Sequence, residues 1–307
     1  MKPAEGQHVD VVAVTDPDDL HWTVVSEHLD RPRSTVIRFN LADLRRTPLI
    51  SEMGYLNLTI DGRSYLISSR TCVWWRRPGV VETSGLDDEE ARLAFDEGPP
   101  LLLGALEQAD VRIVDHPFVV ARSEIKQLQL AIAQRLGISV PATLVTNDSG
   151  YARIFAADRK IVAKAVSPGF GIAPYVAEVF DDELDSLKAL PTMLQELVPA
   201  MADLRVVVLG NDTWTWRRRR EPGTVDWRQV DPEGADFVPT ICEEVQVCGR
   251  EIAAALGLSI SVQDWLETDK GPVFLESNAH GAWLFLPGSQ EIVAPAIAKH
   301  LRARHDQ

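Results

Sequence analysis

The chain alternates short apolar runs with polar stretches, and the period of its apolar positions changes along its length. Up to about residue 117 the runs VDVVAV, STVIRF, YLNLTI, CVWWRR and VRIVDH are short and β-rich. One longer segment, roughly Asp88 to Ala109, reads as a helix with acidic residues at its start and the apolar block LLLGAL further on. Strands interleaved with helices predict an α/β module with a largely parallel sheet. From Ser123 the pattern turns helical. Ser123 is an N-cap candidate, and Ile125, Leu128, Ile132 and Leu136 recur at helical spacing until Gly137. ISVPATLVTN then predicts a strand, Asn147-Asp148-Ser149 a short helix start, and RKIVAKAV and PYVAEVF two strands flanking the glycine-bearing loop SPGFGIAP. DDELDSLKAL predicts a helix, and TMLQELV, DLRVVVLG and TWTWRRRR predict strands, the last two joined at Gly210-Asn211-Asp212. A long helix is expected from about Pro239 to Leu256, closed by Gly257, and a terminal helix from about Ser289. No repeat or low-complexity segment interrupts this order.

The richest chemistry lies between those two helices. SISVQDWLE and VFLESN form a predicted hairpin around Asp269-Lys270-Gly271. A strand alternates faces with period two, so Glu276 and Asn278 project together, and the hairpin brings Asp264 to them. Two carboxylates and an amide are hard oxygen donors that suit Mg²⁺, which keeps some water and is completed by nucleotide phosphates. A solvated hairpin end with ordinary acidic residues has the same spelling.

Composition narrows the classes. At 307 residues the chain exceeds what one core serves, so two or three domains are expected. A net charge of −14 argues against nucleic acid or an anionic membrane as the main partner. Cys72, Cys242 and Cys248 lack metal-ligand spacing and cannot all pair, which fits a reducing cytoplasm. The amino terminus has no apolar h-region, and no run reaches membrane-spanning length.

Further candidates lie upstream. Lys164 ends a strand and runs into SPGFGIAP, where Ser167, Gly169 and Gly171 let backbone amides approach an anion. A plain β-hairpin loop with a solvated lysine fits the same residues. Gln195-Glu196-Leu197-Val198 offers backbone groups and an apolar floor for an adenine ring, and equally fits an edge strand. Arg217 to Arg220 form a basic run in an acidic chain, with Arg218 and Arg220 on the face of Trp214 and Trp216 and Arg217 and Arg219 on the other. Arginine matches carboxylates in a bidentate way, and Arg217 is the member expected nearest the cleft. A solvated hairpin tip is the plain alternative.

Taken in order, the lysine on a helix (Lys126), the lysine–strand–glycine loop, QELV, DLR, Asp264 and Glu276-x-Asn278 resemble the ATP-grasp fold, in which two α+β subdomains clamp a nucleotide. Within it the chain looks like the peptide maturases of the microviridin or graspetide type, which cross-link side chains of ribosomally made precursor peptides. VWWRRP (Val73 to Pro78), SEIKQLQLAIAQRLGISVPATLVTN (Ser123 to Asn147), QELV, DLRVVVLG, DWR (Asp226 to Arg228) and ESNAHGAW (Glu276 to Trp283) carry that closer match. The resemblance implies a pre-ATP-grasp α/β domain over residues 1–117, a central subdomain over 118–190 and a carboxy-terminal one over 191–307.

It further implies ATP and Mg²⁺ as cofactors. Lys126 and Lys164 would contact the α- and β-phosphates under the loop Ser167 to Gly171, Glu196 and the Val198 backbone would hold adenine, and Asp203 would reach the ribose. Arg205 would face the γ-phosphate, and Asp264, Glu276 and Asn278 would hold Mg²⁺. The implied partner is a precursor peptide with a leader and an acidic core, and a homodimer is suggested. Two departures stand out. Ala279 and Gly281-Ala282 replace the family's usual proline and glycine-glutamine pair, and VPAMADLR lacks the lysine often found before DLR, which weakens the expected base contact.

The chemistry expected is ATP-dependent conversion of an Asp or Glu side chain to an acyl phosphate, then attack by a hydroxyl or amine to give an ester or amide. A carboxylate–amine ligase acting on a free amino acid, dipeptide or protein tail is the second reading. A non-catalytic peptide-binding protein that keeps the fold is the third. VWWRRP and DWR favour the first, and the intact donors and cations oppose the third.

Overall fold

A computed structural model describes residues 6–30, 34–164, 176–221 and 223–303. The chain divides into two compact units, residues 1–118 with 288–307 and residues 119–287.

In the first unit Val36–Phe39, Val11–Thr15, Cys72–Arg77 and Arg112–Val114 line up, in that order, as an all-parallel sheet. Val11–Thr15 is buried along its whole length, as a strand covered on both faces must be, and so reads as an unbroken apolar run. A second sheet was not foreseen. Leu49–Glu52, Tyr55–Ile60 and Arg63–Ile67 form an antiparallel meander, with Gln7–His8 added in parallel. Its second turn is Asp61-Gly62, both residues at positive φ, the type I′ geometry that joins twisted strands. The helix Asp88–Gln108 begins with a capping box between Asp87 and Glu90 and buries Leu102, Ala105 and Leu106 in one core with Val12, Val73, Leu56 and Ile67.

The terminal helix Ser289–Arg302 belongs to this unit and not, as expected, to the carboxy-terminal subdomain. Its buried stripe of Val293, Ala294, Ile297, Ala298 and Leu301 packs on the helix Leu20–Glu27 and the strand Cys72–Arg77. An amphipathic stripe states that a helix packs but not on which partner.

The second unit holds two antiparallel sheets. The first runs Val176–Val179, Ile161–Lys164, Thr192–Glu196, Thr143–Thr146. The helix Ser149–Ala156, capped by Asp148, and the 3₁₀ segment Asp181–Ala189 cover one face through Ala152, Ile161, Leu184, Leu187 and Leu194. Thr192–Glu196 is an inner strand of this sheet, not an edge. The second sheet runs Val238–Thr240, Asp212–Arg219, Ala202–Leu209, Ile260–Thr268, Gly271–Asn278. The helices Lys126–Arg135 and Glu243–Leu256 close one face over Leu204, Val206, Val208, Trp265 and Phe274.

Two helix starts differ from expectation. Ser123 closes the short helix Pro117–Ser123, its hydroxyl bonded back to Val120, and Ile125 stands at the N-cap of Lys126–Arg135 without a side-chain cap bond. The segment around Pro239 is an edge strand, where a missing N–H is tolerated, and the helix starts at Glu243.

Candidate functional site

The predicted hairpin forms, with a shorter turn than expected because Gly271 already pairs with Thr268. Asp264 pairs directly with Glu276, and Val262 with Asn278, so the three donors share one face. A bulge follows: Trp265 faces Phe274, leaving Leu275 as the extra residue. The loop beyond the strand turns back tightly. A Cβ on Gly281 would lie 2.5 Å from Val262 Cβ, so only glycine fits there.

A helix locks this hairpin in place. The buried Gln129 amide accepts from Ser277 N at 3.0 Å and donates to Ser277 O at 2.7 Å, while donating also to Ser123 O at 2.6 Å. Lys126, three positions earlier on the same helix, thereby reaches Glu276 and donates to its Oε2. Arg205 stands opposite Asp264 in the ladder, bonds its Oδ1, and gives a second bond to Ala282 O at 2.8 Å. Its Nε is buried and has no hydrogen-bond partner among the described residues. Arg228 adds Nη2 at 3.4 Å from Asp264 Oδ2 and holds Asp226 at 3.1 Å. Asn278 donates to Glu276 Oε1 at 3.3 Å.

Lys164 comes from the other sheet. It pairs with Met193, which belongs to one core cluster with Leu204 and Val206 of the second sheet, so its face looks toward that sheet. Gln195 shares the face, is buried, and donates to Thr143 Oγ1 at 3.1 Å. Glu196, Leu197 and Val198 are half-buried, with the Glu196 and Leu197 amides bonded to Ala142 O and Lys160 O. Ser167, Gly169 and Gly171 lie outside the described residues.

Two expected residues are paired within the fold. Asp203 is buried between two arginines, with Oδ2 3.5 Å from Arg218 Nη1 and Oδ1 3.4 Å from Arg220 Nη1. Arg217 lies opposite Leu204, on the helix-covered face of the sheet, and pairs with Glu267. Arg218 and not Arg217 shares the face of Arg205 and Asp264. Arg228 had no role assigned from the sequence. Its only signal was its place in DWR.

Four cations, Lys126, Lys164, Arg205 and Arg228, gather about two carboxylates, Asp264 and Glu276. Two positive charges are left in excess, or one once Asp226 is counted. In a chain of net charge −14 this is a local reversal of sign suited to a polyanion such as a phosphate chain. Burial alone would raise the Glu276 carboxyl, but Lys126, Lys164 and Arg228 hold it well below the usual carboxylate range. Burial lowers Lys164, with Lys126 pushing the same way and Glu276 opposing. Arg228 is raised despite burial by Asp264, Asp226 and Glu276.

Among the described residues no three His, Cys, Asp or Glu side chains form a metal cluster. Two opposed carboxylates and one amide oxygen instead fit Mg²⁺, whose remaining positions go to water and phosphate. No helix among the described residues is long and apolar enough to cross a membrane.

The chain matches no protein-family model and no curated protein. Solved structures do resemble it. A Chryseobacterium gregarium RiPP-associated ATP-grasp ligase, in complex with ADP and a leader and core peptide, shares 24% identity at a TM-score of 0.85, over 95% of this chain and 96% of that one. The macrocyclase MdnC of Microcystis aeruginosa MRC, bound with precursor peptide MdnA, gives 21% identity and 0.82 over 96% and 99%. The ATP-grasp ligase PsnB, complexed with minimal precursor, Mg and ADP, gives 23% and 0.76 over 97% and 99%. The chain has the ATP-grasp fold.

Proposed function

We propose that this protein is an ATP-dependent ligase that activates Asp or Glu side chains of a ribosomal precursor peptide as acyl phosphates. It then joins them to Ser or Thr hydroxyls or Lys amines as macrocyclic esters or amides. The observation that carries the reading is the opposed pair Asp264–Glu276 beside Asn278, enclosed by Lys126, Lys164, Arg205 and Arg228 on an ATP-grasp fold. That leader-, core- or precursor-bound enzymes are among its structural neighbours supports a peptide as the substrate.

The residues divide the work by charge and position. Lys126 and Lys164 bind the phosphate chain of ATP, and the Glu196–Val198 segment holds the base. Asp264, Glu276 and Asn278 would hold Mg²⁺, which would neutralise charge on the phosphates. Arg205, with its open Nε, faces the γ-phosphoryl as it moves to the substrate carboxylate. The substrate oxygen attacks phosphorus, ADP leaves, and the acyl phosphate yields to a nucleophile with release of phosphate. Arg228 stands where a second anion, the substrate carboxylate, can be paired. Three free thiols, Cys72, Cys242 and Cys248, support a reducing cytoplasm as the setting. The homodimer rests on the resemblance alone, and light scattering at two concentrations checks it.

Mass spectrometry of a candidate acidic precursor after incubation with protein, ATP and Mg²⁺ tests the reading. ATP-dependent loss of one water per link is expected. ATP turnover with free amino acids and none with peptide would replace it by the small-acceptor ligase.

A further inference from the structure

Arg218 lies toward the end of its strand and Arg220 just beyond it, and neither bonds the carboxylate pair. Arg218, 2% exposed, donates Nε to Asp231 Oδ2 at 3.1 Å and Nη1 toward Asp203 Oδ2 at 3.5 Å. Arg220 donates Nη2 to the carbonyls of Thr224 and Val225, both at 2.7 Å, and its Nη1 lies 3.4 Å from Asp203 Oδ1. Each oxygen of Asp203 therefore faces an arginine. Asp231 in turn accepts from Ala235 N at 2.9 Å and Asp236 N at 3.1 Å.

All the outer partners fall in one loop, residues 223–237. Its apolar anchor is Trp227, packed 5.2 Å from Phe237 and 5.6 Å from Phe285 between ring centroids. Gly234 sits at φ +70°, and a Cβ there would lie 2.3 Å from the Phe285 ring, so the loop closes on Phe285 only with glycine. What this much fixing delivers to the site is one side chain, Arg228, 3.4 Å from Asp264. A flexible loop would hold that guanidinium in no single place, and placement within a fraction of an ångström is what positioning residues provide.

We propose that Arg218, with Asp203 as its counter-ion, is a positioning residue. It clamps the 223–237 loop so that Arg228 is presented to the carboxylate pair, and Asp203 acts on this loop rather than on the ribose. The clamp stands on the geometry, and only its catalytic readout rests on the ligase reading.

Hydrogen exchange on the whole protein tests the clamp without substrate. Arg218→Met is expected to speed exchange at Ala235 and Asp236 about tenfold, spreading to Trp227–Asp231, while Ala202–Leu209 keeps its protection. Unchanged loop exchange overturns the clamp. In ATP turnover with an acidic precursor peptide, Arg218→Met and Arg228→Met each raise the peptide KM about tenfold, and the double variant is no worse than Arg228→Met alone. Losses that multiply would show that Arg218 does not act through Arg228. Should Arg218→Met fail to fold, Asp231→Asn, which keeps the Arg218–Asp203 contact, runs the same cycle. A wild type without peptide-dependent turnover would remove the ligase reading and leave the exchange result standing.

Discussion

Each unit buries an arginine–aspartate pair, and the two pairs stand in different electrostatic settings. In the first unit Arg76 Nε bonds Asp19 Oδ2 at 2.8 Å, the two side chains 2% and 1% exposed. Thr15 donates to the same oxygen at 2.8 Å, and the Trp74 ring lies 5.4 Å from the guanidinium. Within the bonded pair one positive charge meets one negative charge, so the pair itself is balanced, and the further cation nearby, Arg77, is exposed. In the second unit Arg205 and Asp264 are also buried, but Arg228 shares the same aspartate and Lys126 and Lys164 crowd the adjacent glutamate. The burial of an ion pair is a structural fact in both places. Only the second lies in a field of excess positive charge, the setting that suits a polyanion.

That contrast can be broken at several points. The largest effect is expected at the donors: Glu276→Gln or Asp264→Asn should cut ATP turnover at least about a hundredfold, because each removes a charge facing the metal, and should also lower the melting temperature, because each leaves the cations bonded to it short of a partner. Activity retained in both variants would return the hairpin to a solvated turn. Arg76→Met should cost about 3–5 kcal/mol in urea unfolding, since Asp19 is left buried without its cation. Arg205→Met should cost clearly less stability, because Asp264 keeps Arg228, and yet abolish turnover. Equal losses would erase the distinction between the two pairs.

A pH experiment sharpens the balanced side. Burial lowers His21, beside Asp19, to about 4, with Arg76 assisting and Asp19 opposing. The unfolded chain takes up that proton near pH 6.5 and the folded one near pH 4, so stability is full above pH 6.5 and falls between 6.5 and 4. The loss amounts to about 3 kcal/mol, and His21→Gln should flatten the slope of urea stability over that window. The smallest effect is expected at Arg217→Ala: a half-exposed pair with Glu267 on the far face should change the peptide KM and the stability by less than about 1 kcal/mol. A tenfold rise in KM would restore Arg217 to the cleft.

Legibility followed the range of the interaction. The hairpin was readable, and the side-chain period grouped Glu276 with Asn278; but the register counted from Thr268–Gly271 would set Asp264 against Leu275, and only the bulge, which no pattern announced, brings Asp264 to Glu276. The same period grouped Arg218 with Trp216. It could not say which face of the strand looks toward the site, since that depends on where the helices Lys126–Arg135 and Glu243–Leu256 dock. Arg217 was expected nearest the cleft, whereas Arg218 is the one that shares the face of Arg205 and Asp264. Asp203 could have been matched to Arg218 by counting back from the two-residue turn between Leu209 and Asp212. Arg228 sits in a loop with no period, so no pattern announced its approach to Asp264. The meander Leu49–Ile67 was visible in part as short runs, but nothing in them says that they form a sheet of their own.

The bulge at Leu275 has a further consequence. Phe274, Glu276 and Asn278 are all even-numbered, and an unbroken strand would send them to one side together. One extra residue reverses the phase between them, so the phenyl ring enters the core beside Trp265 while the carboxylate and amide stay with Asp264. The arm is thus written in two opposite phases joined at a single position. Many side chains could stand at 275, but removing that residue would force either an aromatic ring among the charges or a carboxylate into the core. Chain length, more than residue identity, is what this stretch cannot change.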